Sequence, residues 1–265
     1  MSFLRQILLR YPDFKVEGID NLQIKHNELK AVIQKVSRAL SLEADSLGNS
    51  NENREIFRLK FGRGSKVLYI FSQMHGNEST GTRVIADALN FLTQKACFRS
   101  EIELIARECT LVLVPMINPD GAEKFSRYNA FDTDINRDAQ ALQTIEGQLL
   151  MKDLDAAAPD FVYSLHDQPA HYAVHGSLKP AAFSFLAPAF NASKDINPVR
   201  LAAIQRVTAM AEAAEQFYPE AVAKYSDDYM PSAFGDKIQK KGFSSILVET
   251  GHYYYYGDRQ KNTLR

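Results

Sequence analysis

Apolar residues recur along the chain at two different spacings, and these predict alternating helices and strands. Apolar positions three and four residues apart, typical of one face of a helix, occupy residues 20–44, 79–96, 139–155 and 198–216. Short continuous apolar runs, typical of buried strands, occupy residues 67–71, 109–115, 161–165 and 244–248. Strands that alternate with long helices indicate an α/β protein.

Residues 56–61 alternate between apolar and polar side chains and come just before the first buried run. A turn with two glycines, residues 62–65, lies between the two segments. This pattern predicts a hairpin whose second strand is buried. The turn-rich residues 47–53 predict a loop after the first long helix. For the helix over residues 79–96, Ser79 or Thr80 is the expected cap.

The predicted fold is an α/β layer structure, with helices on both faces of a mixed, largely parallel twisted sheet. The chain has 265 residues, with no internal repeat and no long linker rich in proline, glycine or serine. We therefore expect one domain over residues 1–265, with residues 1–50 as an N-terminal helical lead-in.

Charge and composition exclude several classes of partner. The 31 lysines and arginines nearly balance 32 acidic residues, so no global field attracts nucleic acid or an acidic membrane. No apolar run is long enough to span a bilayer, and residues 1–10 lack the features of a secretory signal, so we expect a cytoplasmic protein. Cys97 and Cys109 have no CxxC spacing. Function must therefore come from a local site; the oligomeric state is not indicated.

Polar side chains follow four of the predicted strands. His75 and Glu78 follow the first, Asn118 the second, His166 the third and Glu249 the fourth. Ligands of open α/β sheets bind where the strands end at their carboxyl side. These side chains are therefore expected at one edge of the sheet.

A zinc site can be predicted from three of these residues. His75 and Glu78 are three positions apart and could face one point, and His166 comes from an equivalent strand end. Two histidines and one glutamate, with a fourth position open, form a set that is typical of catalytic zinc. The sequence therefore predicts one Zn²⁺ ion held by His75, Glu78 and His166.

Five segments together resemble the funnelin-type zinc carboxypeptidases, which share a core with the aspartoacylase and succinylglutamate desuccinylase group. The resemblance spans about residues 66–252. It is carried by the HxxE segment at 74–81, the NPDG segment at 118–121 with Arg127 after it, the DxNR element at 134–137, the histidine strand at 164–166 and the strand at 246–251 that presents a glutamate.

The resemblance implies a catalytic role for three side chains. Glu249 would be the general base that takes a proton from a zinc-activated water and passes it to the leaving amine. Arg127 would stabilise the oxyanion that develops on the scissile carbonyl. Tyr229, with Tyr225 behind it, is the nearest candidate for the mobile tyrosine of the family.

Three further residues would bind substrate or support the metal ligands. Arg137 offers a planar fork for a substrate carboxylate, and Asn136 adds an amide donor beside it. Asp134 matches the position that hydrogen-bonds the far nitrogen of the first zinc histidine. Residues 234–236 resemble the segment that lines the side-chain pocket, but Gly235 falls where a discriminating side chain is expected, so no substrate preference can be read.

Three functions compete on these residues. The first is a metallocarboxypeptidase that removes the C-terminal residue of a peptide. The second is an N-acyl amino acid deacylase acting on a small substrate; it is less expected because sixteen residues after Glu249 leave no room for that group's C-terminal domain, and the NPDG segment favours the peptidase. The third is a non-catalytic binding protein, which would not require Glu249.

Overall fold

The computed structural model describes residues 2–42, 44–176, 179–253 and 262–263. The helices in these ranges are α1 (Phe3–Leu9), α2 (Tyr11–Phe14), α3 (His26–Leu40), α4 (Thr80–Phe91), α5 (Lys95–Glu108), α6 (Pro119–Lys124), α7 (Ile145–Ala157), α8 (Pro198–Phe217) and α9 (Phe234–Lys241), with a short 3-10 helix, Ile135–Arg137. The strands are β1 (Ala44–Asn49), β2 (Glu55–Gly62), β3 (Lys66–Ser72), β4 (Cys109–Val114), β5 (Phe161–Asp167), β6 (Phe183–Leu186), β7 (Val222–Lys224), β8 (Ser244–Thr250), β9 (His252–Tyr253) and β10 (Asn262–Thr263).

Eight of the described strands form one sheet, in the order β1-β2-β4-β3-β5-β8-β6-β7. The four central strands, β4, β3, β5 and β8, run parallel to one another. On one side β2 is antiparallel to β4, and on the other β6 is antiparallel to β8. Strands β9 and β10 pair separately. The predicted α/β fold with a mixed, largely parallel sheet is confirmed.

Helices cover both faces of this sheet and bury its apolar side chains. On one face, Phe234 and Ile238 of α9 pack with Tyr69 and Phe71 of β3, in a cluster that also contains residues of α7. On the other face, α3 and α4 pack over the central strands, and α8 covers β6 and β8. Removal of this apolar surface from water is the main favourable contribution to folding. No helix among the described residues is both long and apolar enough to cross a bilayer.

The predicted hairpin of the first two long strands is wrong. Strand β4 lies between β2 and β3, antiparallel to the first and parallel to the second. The glycine-rich turn packs directly against the backbone at the start of β4. Gly64 N donates to Cys109 O at 3.1 Å, and a Cβ on Gly64 would lie 1.9 Å from the carbonyl carbon of Glu108. The glycines of this turn therefore allow the start of β4 to approach closely, and the strands that the turn connects, β2 and β3, are not paired with each other.

Two element boundaries also differ from the sequence prediction. The lead-in contains the helices α1, α2 and α3, but residues 44–49 form β1, an edge strand of the sheet, although residues 47–53 are predicted as a loop. The helix predicted over residues 79–96 ends at Phe91, and a second helix, α5, follows. Ser79 is the cap residue, but its hydroxyl donates to the carbonyl of Leu22 instead of accepting from the helix.

Candidate metal centre and active site

The parallel pairing of β3 and β5 brings the three predicted metal ligands together. His75 and Glu78 lie between the end of β3 and the start of α4, and His166 lies near the end of β5. All three side chains are buried. Their ligand atoms lie within 4.8 Å of one another. Two segments that are distant in sequence therefore meet at one edge of the sheet, where the fold class predicts a ligand site.

The donor atoms of these residues converge on one point. His75 Nδ1 lies 2.8 Å from Glu78 Oε1, and His166 Nδ1 lies 2.9 Å from Glu78 Oε2. The two Nδ1 atoms are 3.3 Å apart. Two ligands that each lie about 2.0–2.1 Å from a tetrahedral zinc ion are separated by about 3.3 Å. The spacing of the donors therefore fits zinc.

The outward nitrogen of each histidine ring also has a partner. His75 Nε2 lies 3.1 Å from Asp134 Oδ1, which is the contact that the resemblance implies for Asp134. His166 Nε2 lies 2.9 Å from the hydroxyl of Ser164. Such partners fix the orientation and tautomer of a ligating histidine. This role of Ser164 was not predicted, although alternation along β5 places the residue on the same face as His166.

The surroundings of Glu78 and Asp134 hold both carboxylates in the ionised form. Burial alone would raise the pKa of Glu78, but hydrogen bonds from His166 and His75 hold it well below its usual range. Burial likewise raises the pKa of Asp134, yet His75 and Arg127 together lower it to about 2. Burial lowers the pKa of His75, but the two carboxylates outweigh this effect and raise it. Both carboxylates are therefore ionised at neutral pH.

Glu249 lies beside this centre because of strand pairing. In the parallel pair β5 and β8, Glu249 is in register with His166, and side chains in register point to the same face of the sheet. Glu249 is buried, and burial raises its pKa to about 7. The negative charges of Glu78 and Asp167 act in the same direction. A carboxyl group with a pKa near the working pH can both accept and return a proton.

Arg127 points its guanidinium group into the centre. Its Nη1 atom lies 3.2 Å from Glu78 Oε1 and 3.3 Å from His75 Nδ1. Its Nε atom donates to Asp134 Oδ2 at 3.0 Å, which holds the side chain in place. A positive charge held this close to the ligands can reach an oxygen of a substrate bound there.

Asn136 and Arg137 lie at the side of the centre where α9 begins. The side-chain oxygen of Asn136 accepts a hydrogen bond from Phe234 N at 3.0 Å, which leaves its amide nitrogen to donate to a ligand. Arg137 is exposed, and its Nη1 donates to the carbonyl of Asn136 at 3.2 Å. The pair therefore presents adjacent donors, as carboxylate binding requires.

The two candidate tyrosines differ in their surroundings. Burial raises the pKa of the half-buried Tyr225, and the charge of Glu249 raises it further, whereas Arg137 acts in the opposite direction. Tyr225 also lines a cavity of about 600 Å³ beside α8. Within the described part of the chain, no hydrogen bond or ion pair links the side chain of Tyr229 to the metal ligands. The same holds for the side chain of Tyr225, so the assignment of the mobile tyrosine stays a prediction, with Tyr229 first and Tyr225 behind it.

The segment predicted to line a side-chain pocket contains a buried carboxyl group. A Cβ on Gly235 would lie 3.0 Å from Pro188, so a larger residue there would press on the neighbouring loop. The next residue, Asp236, accepts a hydrogen bond from Met230 N at 3.0 Å. Burial raises the pKa of Asp236 to about 6, although Arg137 partly opposes the shift.

Asp236→Asn is expected to stabilise the protein more at pH 8 than at pH 4.5. The folded state binds the Asp236 proton more tightly than the unfolded state, so the stability from this group is complete below the ordinary aspartate pKa of 3.8 and is lost as the pH rises through about 6. The shift corresponds to at most about 3 kcal/mol. Asparagine has no charge at either pH and keeps the acceptor for Met230. Denaturant unfolding at both pH values tests this, with the exposed Asp155→Asn as control; an equal effect at both pH values would contradict it.

Comparison with known proteins tests the resemblance. The family model described as zinc carboxypeptidase matches residues 27–154, just under half of the chain. The predicted resemblance to the zinc carboxypeptidases is confirmed. Carboxypeptidase D of Mus musculus is 28% identical over 108 residues, which cover 35% of this chain and 8% of that protein.

Solved structures of metallo-carboxypeptidases have a similar fold over most of this chain. A metallo-carboxypeptidase from Burkholderia cenocepacia aligns with a TM-score of 0.68 at 17% identity, over 85% of this chain and 60% of that one. A metallo-carboxypeptidase from Pseudomonas aeruginosa, in complex with (2-guanidinoethylmercapto)succinic acid, aligns with a TM-score of 0.63 at 17% identity, over 85% of this chain and 59% of that one. The chain therefore spans about three fifths of the length of these two proteins.

Proposed function

We propose that the chain is a zinc-dependent carboxypeptidase that hydrolyses the C-terminal amide bond of a peptide. The observation that carries this proposal is the convergence of two histidines and a glutamate on one point, with a buried glutamate in register beside them. The spacing of the donor atoms fits zinc, and the outward ring nitrogens of the two histidines are hydrogen-bonded to Asp134 and Ser164. The zinc carboxypeptidase match supports the same reaction class.

Zinc bound by His75, Glu78 and His166 would polarise the scissile carbonyl and lower the pKa of a water from 15.7 toward about 7. Glu249 accepts the proton of the attacking water, because its buried carboxylate has a raised pKa and lies beside His166. The same proton then passes to the leaving amine. Arg127 donates to the oxygen on which negative charge develops.

Recognition of the substrate's free carboxylate falls to Arg137 and Asn136. Arginine forms paired, charge-assisted hydrogen bonds with a carboxylate, and the adjacent amide of Asn136 adds a further donor. The ligand in the Pseudomonas aeruginosa relative is a succinic acid derivative, which agrees with a site that binds carboxylates. Tyr229, with Tyr225 behind it, would supply the mobile tyrosine that the resemblance implies.

Peptides with a free C-terminal carboxylate should be cleaved with a 10–100-fold higher kcat/KM than the corresponding amides. Hydrogen bonds to a charged group are worth about 1.5–3 kcal/mol, which corresponds to this ratio. Arg137→Ala should lower kcat/KM for the free acid by a similar factor and leave the amide nearly unchanged. Steady-state kinetics on matched acid and amide peptides measures both effects.

The exposed Arg99→Ala, on α5, is a suitable control because it removes an arginine far along the chain from the site. Equal cleavage of acids and amides by the wild type would exclude an exopeptidase. N-acyl amino acids belong in the same panel: a strong preference for them over peptides would favour the deacylase instead.

A further inference from the structure

Residues 73–79, here called the ligand segment, connect β3 to α4 and carry His75 and Glu78, yet they form neither helix nor strand. Apart from Asn77, every residue of this segment is buried. A buried backbone outside regular secondary structure needs other hydrogen-bond partners, because an unpaired carbonyl there costs free energy. The positions of the two proposed ligands therefore depend on the groups that bond to this segment.

The carbonyl groups directly before and after His75 are both held by side-chain amides. Asn118 Nδ2 donates to Met74 O at 3.2 Å. Gln73 Nε2 donates to Gly76 O at 2.8 Å. Because all of these residues are buried, water cannot readily replace a lost bond. The two amides therefore fix the backbone on either side of a proposed metal ligand.

The two amides differ in what else they hold. Asn118 Oδ1 accepts a hydrogen bond from Gly121 N at 2.8 Å inside α6, so replacing Asn118 would disturb that helix as well as the ligand segment. The other partner of the Gln73 side chain is Thr82 of α4, whose hydroxyl donates to Gln73 Oε1 at 2.5 Å. Gln73 therefore ties the ligand segment to the helix that follows it.

The backbone of Gln73 has an unfavourable conformation. Its φ angle is +51°, in the left-handed region that disfavours residues other than glycine. Such a conformation persists where the surrounding contacts hold it, and residues of this kind cluster at functional sites. Gln73 lies two residues before His75, and its buried side chain takes no part in the proposed chemistry.

We infer that Gln73 is a positioning residue for the proposed metal centre: its amide holds the ligand segment in the conformation in which His75 and Glu78 meet His166. This inference rests on the proposed function through its metal site. Without the bond to Gly76, the zinc-free segment can relax to other arrangements, whereas zinc binding requires this one. When a smaller fraction of the protein has the binding conformation, the apparent affinity falls by that fraction.

A glutamine that only stabilises the fold would behave differently. Its loss would lower the free energy of unfolding by the same amount in zinc-free and zinc-loaded protein, and zinc affinity would not change. A positioning glutamine stabilises the zinc-loaded protein more than the zinc-free protein. The difference between the two losses must then equal the loss of zinc binding, because both are measured around one thermodynamic cycle.

The test is Gln73→Met, which keeps the approximate length and volume of the side chain but forms neither amide hydrogen bond. Chelator competition should show zinc bound about 3–10-fold more weakly than by the wild type, the size expected for one buried hydrogen bond. Thr82→Val removes only the hydroxyl that holds the other end of the amide, and it should weaken zinc binding about 2–3-fold. Denaturant unfolding with and without zinc measures the two stabilities of each variant.

Gln239→Met is the matched control. Gln239 is equally buried, and its Oε1 accepts a hydrogen bond from Ser245 N at 3.0 Å, near the end of β8 opposite to Glu249. Its replacement should lower the free energy of unfolding equally with and without zinc. Zinc affinity should stay within twofold of the wild type.

Two results would overturn the inference: unchanged zinc affinity in folded Gln73→Met, or an equal loss of stability with and without zinc. Both leave the carboxypeptidase function in place. If Gln73→Met does not fold, Thr82→Val decides the question by the same two measurements. A wild type that binds zinc but cleaves no peptide with a free C-terminal carboxylate contradicts the proposed function itself, so the two failures can be distinguished.

Discussion

Glu249→Gln is expected to lower kcat at least a hundredfold while zinc content and substrate affinity stay near those of the wild type. Glutamine keeps the shape of the side chain but cannot accept a proton. General-base catalysis typically contributes about 10²–10⁴-fold, and Glu249 is not among the three ligands that converge on the metal position. Steady-state kinetics together with metal analysis measures both properties on one variant.

The same substitution should stabilise the zinc-free protein above neutral pH. Burial raises the pKa of Glu249 from 4.5 to about 7, so the folded state favours the protonated carboxyl, and its contribution to stability is lost as the pH rises through this range. The ionised group then costs about 3 kcal/mol at pH 8, a cost that glutamine avoids. If Glu249 serves catalysis at the expense of stability, Glu249→Gln should lower kcat and raise the free energy of unfolding together.

Asp160→Asn is the control for Glu249→Gln. Asp160 lies just before β5, at the other end of the strand that carries His166, where it accepts a hydrogen bond from Val67 N at 2.8 Å and pairs with Lys66. Its substitution should cost about 1 kcal/mol of stability and leave kcat unchanged. If Glu249→Gln also leaves kcat unchanged and costs only about 1 kcal/mol of stability, Glu249 only stabilises the end of its strand, and the proposed mechanism is wrong.

His166→Ala is expected to abolish stoichiometric zinc binding. The ion would lose one of three protein ligands, namely the Nδ1 atom of His166, which lies 2.9 Å from Glu78 Oε2. Excess zinc should raise the melting temperature of the wild type, because a ligand that binds the folded state stabilises it by mass action, and this rise should disappear in the variant. Competition with a chelator, followed by metal analysis, gives the affinity.

Two further variants make this experiment quantitative. Asp134→Asn removes the negative charge beside His75 and Arg127 but no metal ligand, and it should weaken zinc binding 10–100-fold, less than loss of a ligand does. His26→Ala removes a buried histidine that stacks on Phe57 outside the site, and it should leave zinc binding unchanged. A folded His166→Ala protein that retains zinc with wild-type affinity would contradict the ligand assignment.

The metal ligands and Glu249 could be predicted because each follows a recognisable apolar run, whereas Arg127, Asp134, Asn136 and Arg137 were named only from the resemblance. His75, His166 and Glu249 come at or after the ends of strands that are buried on both faces, and the carboxyl ends of parallel strands share one edge. Two features were not predictable in this way. Ser164 belongs to the strand itself, and neither Tyr225 nor Tyr229 follows an apolar run that would distinguish the two.

Strand and helix types were easier to predict from the sequence than strand partners. The runs that form β3, β4, β5 and β8 are plain in the sequence, because strands buried on both faces are continuously apolar. The partner of β2 could not be predicted in this way. The glycines that allow β4 to approach closely are the same residue type that a hairpin turn would contain, so the sequence does not distinguish the two cases. The helix α5 and the short strands β6 and β7 were missed because no glycine or proline marks the break after α4 and the strands have only three or four residues.

The pairing of β5 with β8 has a consequence for how the site tolerates change. Glu249 faces His166 across one strand spacing, and on the other side of β8 it is in register with Ser184 of β6. A Cβ on Gly251 would lie 2.0 Å from the carbonyl oxygen of Ala181, so the chain beyond β8 cannot shift easily. Moving β8 by one residue would turn the glutamate to the opposite face. The distance from the proposed base to the metal position is therefore set by backbone pairing, so insertions and deletions in β8 are expected to impair the proposed catalysis more than many side-chain replacements around it do.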